Sequence, residues 1–134
     1  MFKVVIALVL LAHGIGHSMG LLQIFKVASV NPQWNGDSWI LTGPLGVTAT
    51  QVIGGVVWTA AIIGFAALAG TVVGWLPAAW FQPLAIGSSV VSLAGLLLFP
   101  VAFPTFSTIG ALAVDLAVLA ATIWYGWLPE GAGA

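Results

Sequence analysis

Long apolar segments separated by short polar ones make up most of the chain, and this pattern predicts four membrane-spanning helices. The predicted helices cover about residues 4–25, 47–73, 78–99 and 107–127, with a polar loop at 26–46 between the first two. Each segment has the ~20 apolar residues that a helix needs to cross a bilayer. Backbone groups in lipid must be hydrogen-bonded within their own segment, and the alternating pattern of a membrane β-barrel is missing. The expected fold class is therefore all-α: a four-helix transmembrane bundle that forms one membrane domain over residues 1–134.

The first apolar segment also has features of a signal peptide. Residues 1–12, MFKVVIALVLLA, contain a lysine, an apolar run and a small residue at the end. The apolar stretch nevertheless continues through two histidines to Phe25, which gives it the length of a spanning helix. We therefore interpret this segment as the first helix of the bundle rather than as a leader.

Composition supports a lipid environment and excludes several classes of function. Of the 134 residues, 61% are hydrophobic and 4% are charged, whereas about 25% of the residues of a soluble domain are charged. The charged residues are Lys3, Lys26, Asp37, Asp115 and Glu130. A net charge of −1 provides no basic patch for phosphates, which excludes nucleic-acid binding. The absence of cysteine excludes disulfides and thiolate metal sites.

Aromatic and basic residues indicate how the bundle is oriented. Four spans place both termini and the link between the second and third helices on one side. Aromatic residues cluster at the predicted helix ends on that side (Trp75, Trp80, Trp124, Tyr125, Trp127) and on the other (Trp34, Trp39, Phe99, Phe103, Phe106), which is typical of interfacial belts. We expect a bacterial inner membrane, and because Lys3 and the terminal amine outnumber Lys26, the positive-inside rule favours both termini in the cytoplasm.

The first predicted helix contains the most informative motif, AHGIGHSMG. Ala12, Gly16 and Gly20 follow one another at four-residue spacing, which predicts a small-residue face for close helix packing. His13 and His17 have the same spacing and lie on a neighbouring face. Ionisable side chains at this depth usually face the protein interior, so we expect both imidazoles to point into the bundle.

Asp115 is the other ionisable residue within a predicted span. At a rise of ~1.5 Å per residue, Asp115 and His17 both lie roughly 12 Å below the loop-rich side. A lone ionised carboxylate there is costly, so Asp115 should be protonated or paired, and the two histidines are the available partners. Ser92 lies near the same depth, and Gln51 lies nearer the loops. The predicted intramembrane polar cluster is His13, His17, Gln51, Ser88, Ser92 and Asp115.

Several chemistries suit such a cluster. A His–Asp hydrogen bond between helices fixes helix register without any further function. His13 and His17 with a carboxylate are candidate ligands for Zn²⁺, Cu²⁺ or iron, although Gly14 stands where an HExxH motif has its glutamate. A haem with two axial histidines needs opposing helices, so these two histidines suit at most one axial position or a dimer. A proton relay is a further alternative, whereas Ser–His–Asp catalysis lacks a nucleophile motif.

The segments HGIGHSMG, SWILTGPLG and FPTFSTIGALAVDLAVL resemble a group of small uncharacterised bacterial four-helix membrane proteins with an HGxxH first helix. The resemblance extends over nearly the whole chain and implies that His13, His17 and Asp115 are characteristic positions. The size and the four-span plan are also similar to those of DoxX-like proteins, which are associated with quinone-linked oxidoreductase systems.

These observations favour a non-enzymatic protein. We expect a bundle that contacts the lipid bilayer and forms a homo-oligomer or joins a larger membrane complex, with a buried His–Asp cluster. Gly54 and Gly55 in the second helix add close-packing positions for either assembly. The alternative is a membrane redox or transport component that binds haem, quinone or a divalent metal ion, or relays protons, in the same pocket.

Overall fold

The protein is a bundle of helices. The computed structural model describes residues 1–129, and no strand occurs among them; Glu130 lies outside this range. The helices are α1 (Phe2–Gly16), α2 (Ser18–Ile24), α3 (Thr42–Val72), α4 (Phe81–Leu98) and α5 (Thr105–Leu119), with a 3₁₀ turn at Ala78–Trp80 and a π-helical turn at Ala120–Trp124. They form four stretches long and apolar enough to cross a membrane: Phe2–Ile24, Thr42–Val72, Ala78–Leu98 and Thr105–Trp124. The predicted all-α fold class is confirmed.

Two of the helical stretches contain an interruption that the apolar pattern does not predict. Gly46 has a φ of 78° and a ψ of 166° inside α3, so the regular part of that helix begins at residue 47. Only glycine adopts this backbone conformation at little cost. The first stretch is broken at His17, which separates α1 from α2.

The junction at His17 is a short segment with 3₁₀ hydrogen bonding. The amide of His17 donates to the carbonyl of Gly14 at 3.1 Å, and the amide of Gly20 donates to the carbonyl of His17 at 3.1 Å. Three residues make one turn in this geometry, so positions three apart lie above one another. Gly14, His17 and Gly20 therefore share one face, and all three are buried.

Helix α3 is the centre of the bundle. It packs against α1 and α2 on one side and against α4 on the other, while α5 packs mainly against α4 and touches α1 only briefly. Two apolar clusters fill the interior. The cluster on the side of the termini includes Leu10, Phe65, Leu68, Phe81 and Ala85, and the loop-side cluster includes Trp34, Trp58, Leu96, Phe99 and Phe103.

The first loop folds back over the end of the bundle. The side-chain amide of Asn31 donates to the carbonyl of Val101 at 2.7 Å, and the hydroxyl of Ser38 donates to the carbonyl of Leu98 at 2.6 Å. Trp39 Nε1 donates to the carbonyl of Leu97 at 2.7 Å. The loop thereby satisfies carbonyl groups at and just after the end of α4, which have no partners within the helix.

The folded loop corrects part of the predicted aromatic belt. Trp34, Phe99 and Phe103 are buried rather than interfacial, because the loop turns Trp34 inward onto Phe99 with ring centroids 6.0 Å apart. Trp39 and Phe106 remain exposed on this side. On the side of the termini Trp75, Trp80, Trp124 and Tyr125 are exposed, and Trp127 packs edge to face on Phe81.

Candidate functional site

Asp115 is the centre of a buried polar network between the two apolar clusters. Its side chain has no exposed surface, and the side chain of His13 is only 6% exposed. His13 Nε2 lies 2.9 Å from Asp115 Oδ1, and the hydroxyl of Ser92 donates to Asp115 Oδ2 at 2.6 Å. Both oxygens of the carboxyl group are therefore hydrogen-bonded, one to α1 and the other to α4.

Ser92 extends the network to the second histidine. Its Oγ atom lies 3.0 Å from His17 Nε2. A hydroxyl has one proton to donate, and the Ser92 proton is directed to Asp115. With the Ser92 proton directed to Asp115, the neutral form of His17 that completes the network is the tautomer whose Nε2–H group donates to Ser92. The network joins α1, the α1–α2 junction, α4 and α5 through His13, His17, Ser92 and Asp115.

Aromatic rings from α3 support both imidazoles. His13 meets Phe65 edge to face with ring centroids 4.4 Å apart, and His17 lies nearly parallel to Trp58 at 5.4 Å. The two imidazole rings contact each other edge to face at 4.9 Å. Edge-to-face and offset-stacked contacts are the favoured arrangements of aromatic rings. These contacts hold the imidazole planes in place without the help of a ligand.

A cleft of about 200 Å³ leads to the histidines from the gap between α1 and α5. Its lining includes both histidines together with Met19, Phe103, Ser107 and Ala111. The cleft exists because α5 packs mainly against α4 and only briefly touches α1. The imidazoles are thus buried among helices but accessible from one side of the bundle.

The structure does not bring all the predicted cluster residues together. Ser88 is buried, but its hydroxyl lies over Gly64 of α3 and makes no hydrogen bond to another described residue. Gln51 is farther away, and its side-chain amide donates to the carbonyl of Asn35 in the first loop at 3.2 Å. Gln51 therefore bonds to the first loop, because its position in α3 is closer to the loop side of the bundle than the network is.

Only one of the three residues of the predicted small-residue face packs closely within the bundle. Gly20 does pack closely, since a Cβ atom there would lie 2.7 Å from Trp58 Nε1. Ala12 is exposed, and a Cβ atom at Gly16 would meet nothing within 4 Å. Ala12 and Gly16 lie on one face of α1, and the 3₁₀ junction at His17 changes the helical register so that Gly20 does not share that face. The close approach is at Gly14 instead, where a Cβ atom would lie 2.9 Å from the Cβ atom of a phenylalanine in α3.

Two glycines in α3 were predicted to be packing positions. A Cβ atom at Gly54 would lie 3.1 Å from Ile24 and 3.1 Å from Phe99, so this glycine does permit close packing within the bundle. Gly55 has nothing within 4 Å of its Cβ position. The two neighbours therefore differ, because only one of them faces the interior.

Gln23 is a structural residue that the sequence analysis missed. Its side-chain oxygen accepts hydrogen bonds from the amides of Val30 and Asn31, each at 2.8 Å. Its side-chain nitrogen donates to the carbonyls of Asn31 and Trp34. One glutamine thus organises the start of the first loop. The available signal was its position, a polar residue in the last turn of an apolar helix before a loop containing Asn-Pro.

The geometry gives the metal and haem alternatives little support. Among residues 1–129, no group of three or more His, Cys, Asp or Glu side chains has an arrangement that could hold a metal ion. The Nε2 atoms of both His13 and His17 are engaged with Asp115 and Ser92. The two imidazoles are in edge contact on adjacent turns, so they do not face each other across the space that a haem with two axial histidines requires.

Comparisons with protein-family models, with curated proteins and with solved structures find no match to this chain. The resemblance to small bacterial four-helix proteins therefore stays a prediction.

Proposed function

We propose that this chain is a non-enzymatic accessory bundle of a bacterial inner membrane, acting as a homo-oligomer or within a larger membrane complex. In this proposal the buried network is a structural connection that holds α5 to the rest of the bundle. Both termini lie in the cytoplasm, as the basic residue near the N-terminus favours.

The observation that carries this proposal is the closed hydrogen bonding around Asp115. Both carboxyl oxygens are bonded, to His13 on α1 and to Ser92 on α4, and Ser92 in turn accepts from His17. A buried polar network in which each member has a partner is rigid and specifies one arrangement of its helices. Such a network is what a structural connector requires.

Helix α5 has little other attachment on the side facing α1. Asp115 is the one buried residue of α5 within the described chain, and the helix exposes large apolar side chains such as Phe106, Ile109 and Leu116. Lipid is as apolar as these side chains, so helices in a membrane associate through packing and interhelical hydrogen bonds rather than through the hydrophobic effect. The exposed face of α5 is available to lipid or to another helix, which agrees with an accessory role.

A second candidate is a membrane redox or transport component that binds a ligand such as haem, quinone or a metal ion, or relays protons. The observation in its favour is the cleft of about 200 Å³ that reaches His13 and His17. In this candidate the network is a path for protons between imidazole and carboxyl groups rather than only a connection between helices.

Absorption spectroscopy, metal analysis and native electrophoresis of the purified protein separate the candidates. The accessory role predicts a colourless, metal-free protein, and His13→Ala should lower stability or change the size of the assembly. A Soret band or a stoichiometric metal that disappears in both His13→Ala and His17→Ala would contradict it and support the redox candidate. Proton-coupled transport that is lost in a folded Asp115→Asn protein would support the transport candidate.

A further inference from the structure

The cleft between α1 and α5 has a size, a lining and a hydrogen-bonding character that together select a ligand. We propose that it binds the ring of a lipid-soluble phenol, with the phenolic hydroxyl donating a hydrogen bond to a free imidazole nitrogen. This inference goes beyond the structural role proposed above, because that role needs no ligand.

The size of the cleft suits one six-membered ring. Its volume is about 200 Å³, and an engineered apolar protein cavity of ~150 Å³ is sufficient for benzene. A ring with one hydroxyl and a short substituent therefore fits. Gly16 leaves space at the wall of the cleft, since a Cβ atom there would meet nothing within 4 Å.

The lining favours an aromatic ring over an alkyl chain. Phe103 and the two imidazoles line the cleft, and such rings pair favourably with another aromatic ring in edge-to-face or offset geometry. Met19 adds a thioether, and sulfur makes favourable contacts at the edge of aromatic rings. Four of the groups around the cleft thus have a specific preference for an aromatic guest.

The histidines select a ligand that donates a hydrogen bond. His17 uses its Nε2–H group to donate to Ser92, so in the neutral ring Nδ1 has the lone pair and is an acceptor. His13 likewise has its Nε2 engaged with Asp115. Each histidine thus uses Nε2 in the network, which leaves Nδ1 as the ring nitrogen for a ligand. A phenolic hydroxyl supplies the missing donor, whereas an ether or a ketone of the same shape does not.

The ligand must come from the bilayer. The cleft lies between α1 and α5, and Ile15 and Leu112, which are adjacent in the chain to its lining residues Gly16 and Ala111, are exposed and apolar. In the proposed membrane orientation this side of the bundle faces hydrocarbon. A charged or sugar-bearing phenol would have to leave water to reach the cleft, so the ligand is an uncharged phenol that dissolves in lipid.

The test titrates the full chain in detergent with p-ethylphenol as the probe. Binding is measured from the NMR signals of the imidazole nitrogens of the two histidines. We expect a saturable shift of an Nδ1 signal with p-ethylphenol. The methyl ether p-ethylanisole has the same ring and no donor, and it should bind more weakly by about tenfold, the effect of losing one hydrogen bond. This comparison needs no variant, so it does not depend on the folding of a mutant.

Two glycine variants localise the binding. Gly16→Leu fills the cleft and should abolish the shift, while Gly87→Leu, at an open glycine on the exposed face of α4, should bind p-ethylphenol as the wild type does. If Gly16→Leu fails to fold by circular dichroism, Ala111→Leu fills the same cleft from α5. The proposal would be overturned if p-ethylphenol and p-ethylanisole bound equally, if the shift did not saturate with p-ethylphenol, or if the filled-cleft variant still bound p-ethylphenol. None of these outcomes would affect the structural role of the network.

Discussion

Replacing Ser92 with alanine removes one oxygen atom from the middle of the network and changes little else. Its hydroxyl joins two helices to α4, because it accepts from His17 at 3.0 Å and donates to Asp115 at 2.6 Å. The side chain has no exposed surface, so water cannot replace the lost partner without entering the bundle. The substitution therefore tests the network with almost no change in packed volume.

The expected loss follows from two interhelical hydrogen bonds. Such bonds in membrane bundles contribute about 0.6 kcal/mol on average and about 1.7 kcal/mol at most. Two of them give roughly 1–3 kcal/mol, and the upper half of this range applies here because a buried Nε2–H group and a carboxyl oxygen both lose a partner. We expect Ser92→Ala to lower the free energy of unfolding by about 2 kcal/mol.

Ser89 provides a matched control on the same helix. It is equally buried, but its hydroxyl has no hydrogen-bond partner in the part of the chain that the structure describes. Ser89→Ala should change the free energy of unfolding by less than about 0.5 kcal/mol, or raise it, since removing a buried polar group without a partner is favourable. Both variants are compared by unfolding in mixed micelles with increasing dodecyl sulfate, followed by circular dichroism. Equal losses, or a larger loss for Ser89→Ala, would refute the reasoning.

Three further predictions use the same purified protein. Gly14→Ala should destabilise the bundle by about 1–3 kcal/mol through overpacking. Gly16→Ala should be neutral or stabilising by up to about 1 kcal/mol, because its Cβ position is open. Equal changes in the free energy of unfolding for the two variants would contradict the close packing at Gly14. Gln23→Leu should speed hydrogen exchange of the first-loop amides while leaving exchange in the helices unchanged, and unaltered loop exchange would contradict its organising role. The chain has no cysteine, so single cysteines introduced by Gln33→Cys in the first loop and Trp75→Cys between α3 and α4 report the orientation of the bundle. In intact cells an impermeant maleimide should label the Gln33→Cys protein and not the Trp75→Cys protein. The reverse labelling would contradict cytoplasmic termini.

Helix geometry explains how much of the site could be predicted. The rise per residue of a helix is nearly constant, so counting from the predicted ends placed His17, Ser92 and Asp115 at one depth, and the structure brings these three together. Apolar length likewise gave the four spans. The depth of a residue in the bundle is its position along the helix axis, and this position depends little on how the helix is rotated about that axis.

Rotation about the helix axis could not be predicted in the same way. The 3₁₀ junction places Gly14, His17 and Gly20 on one face, while Gly16 and Ala12 turn away. An i, i+4 spacing assumes a regular α-helix, and the change to i, i+3 bonding at His17 separates Gly20 from the face that Ala12 and Gly16 share. Nothing in the apolar composition of this segment signals that change.

Long-range loop contacts were the other missing information. Tryptophan is a residue type typical of membrane interfaces, but Trp34 is only 2% exposed. Its Nε1 donates to the carbonyl of Asp37, and its ring packs on Phe99. Gln23 and Gln51 are polar residues at similar positions near the loop. Their partners depend on how the first loop folds back, which is a property of tertiary structure and not of either helix alone.

A double-mutant cycle between His13 and Asp115 tests the central claim most directly. Unfolding free energies are measured for wild type, His13→Leu, Asp115→Leu and the double variant. If the network joins α1 to α5, each single change leaves a buried polar group without its partner, and the double variant should lose less than the sum by at least about 1 kcal/mol. Additive losses, with a coupling energy near zero, would mean that the two side chains do not hold the helices together and would contradict the account.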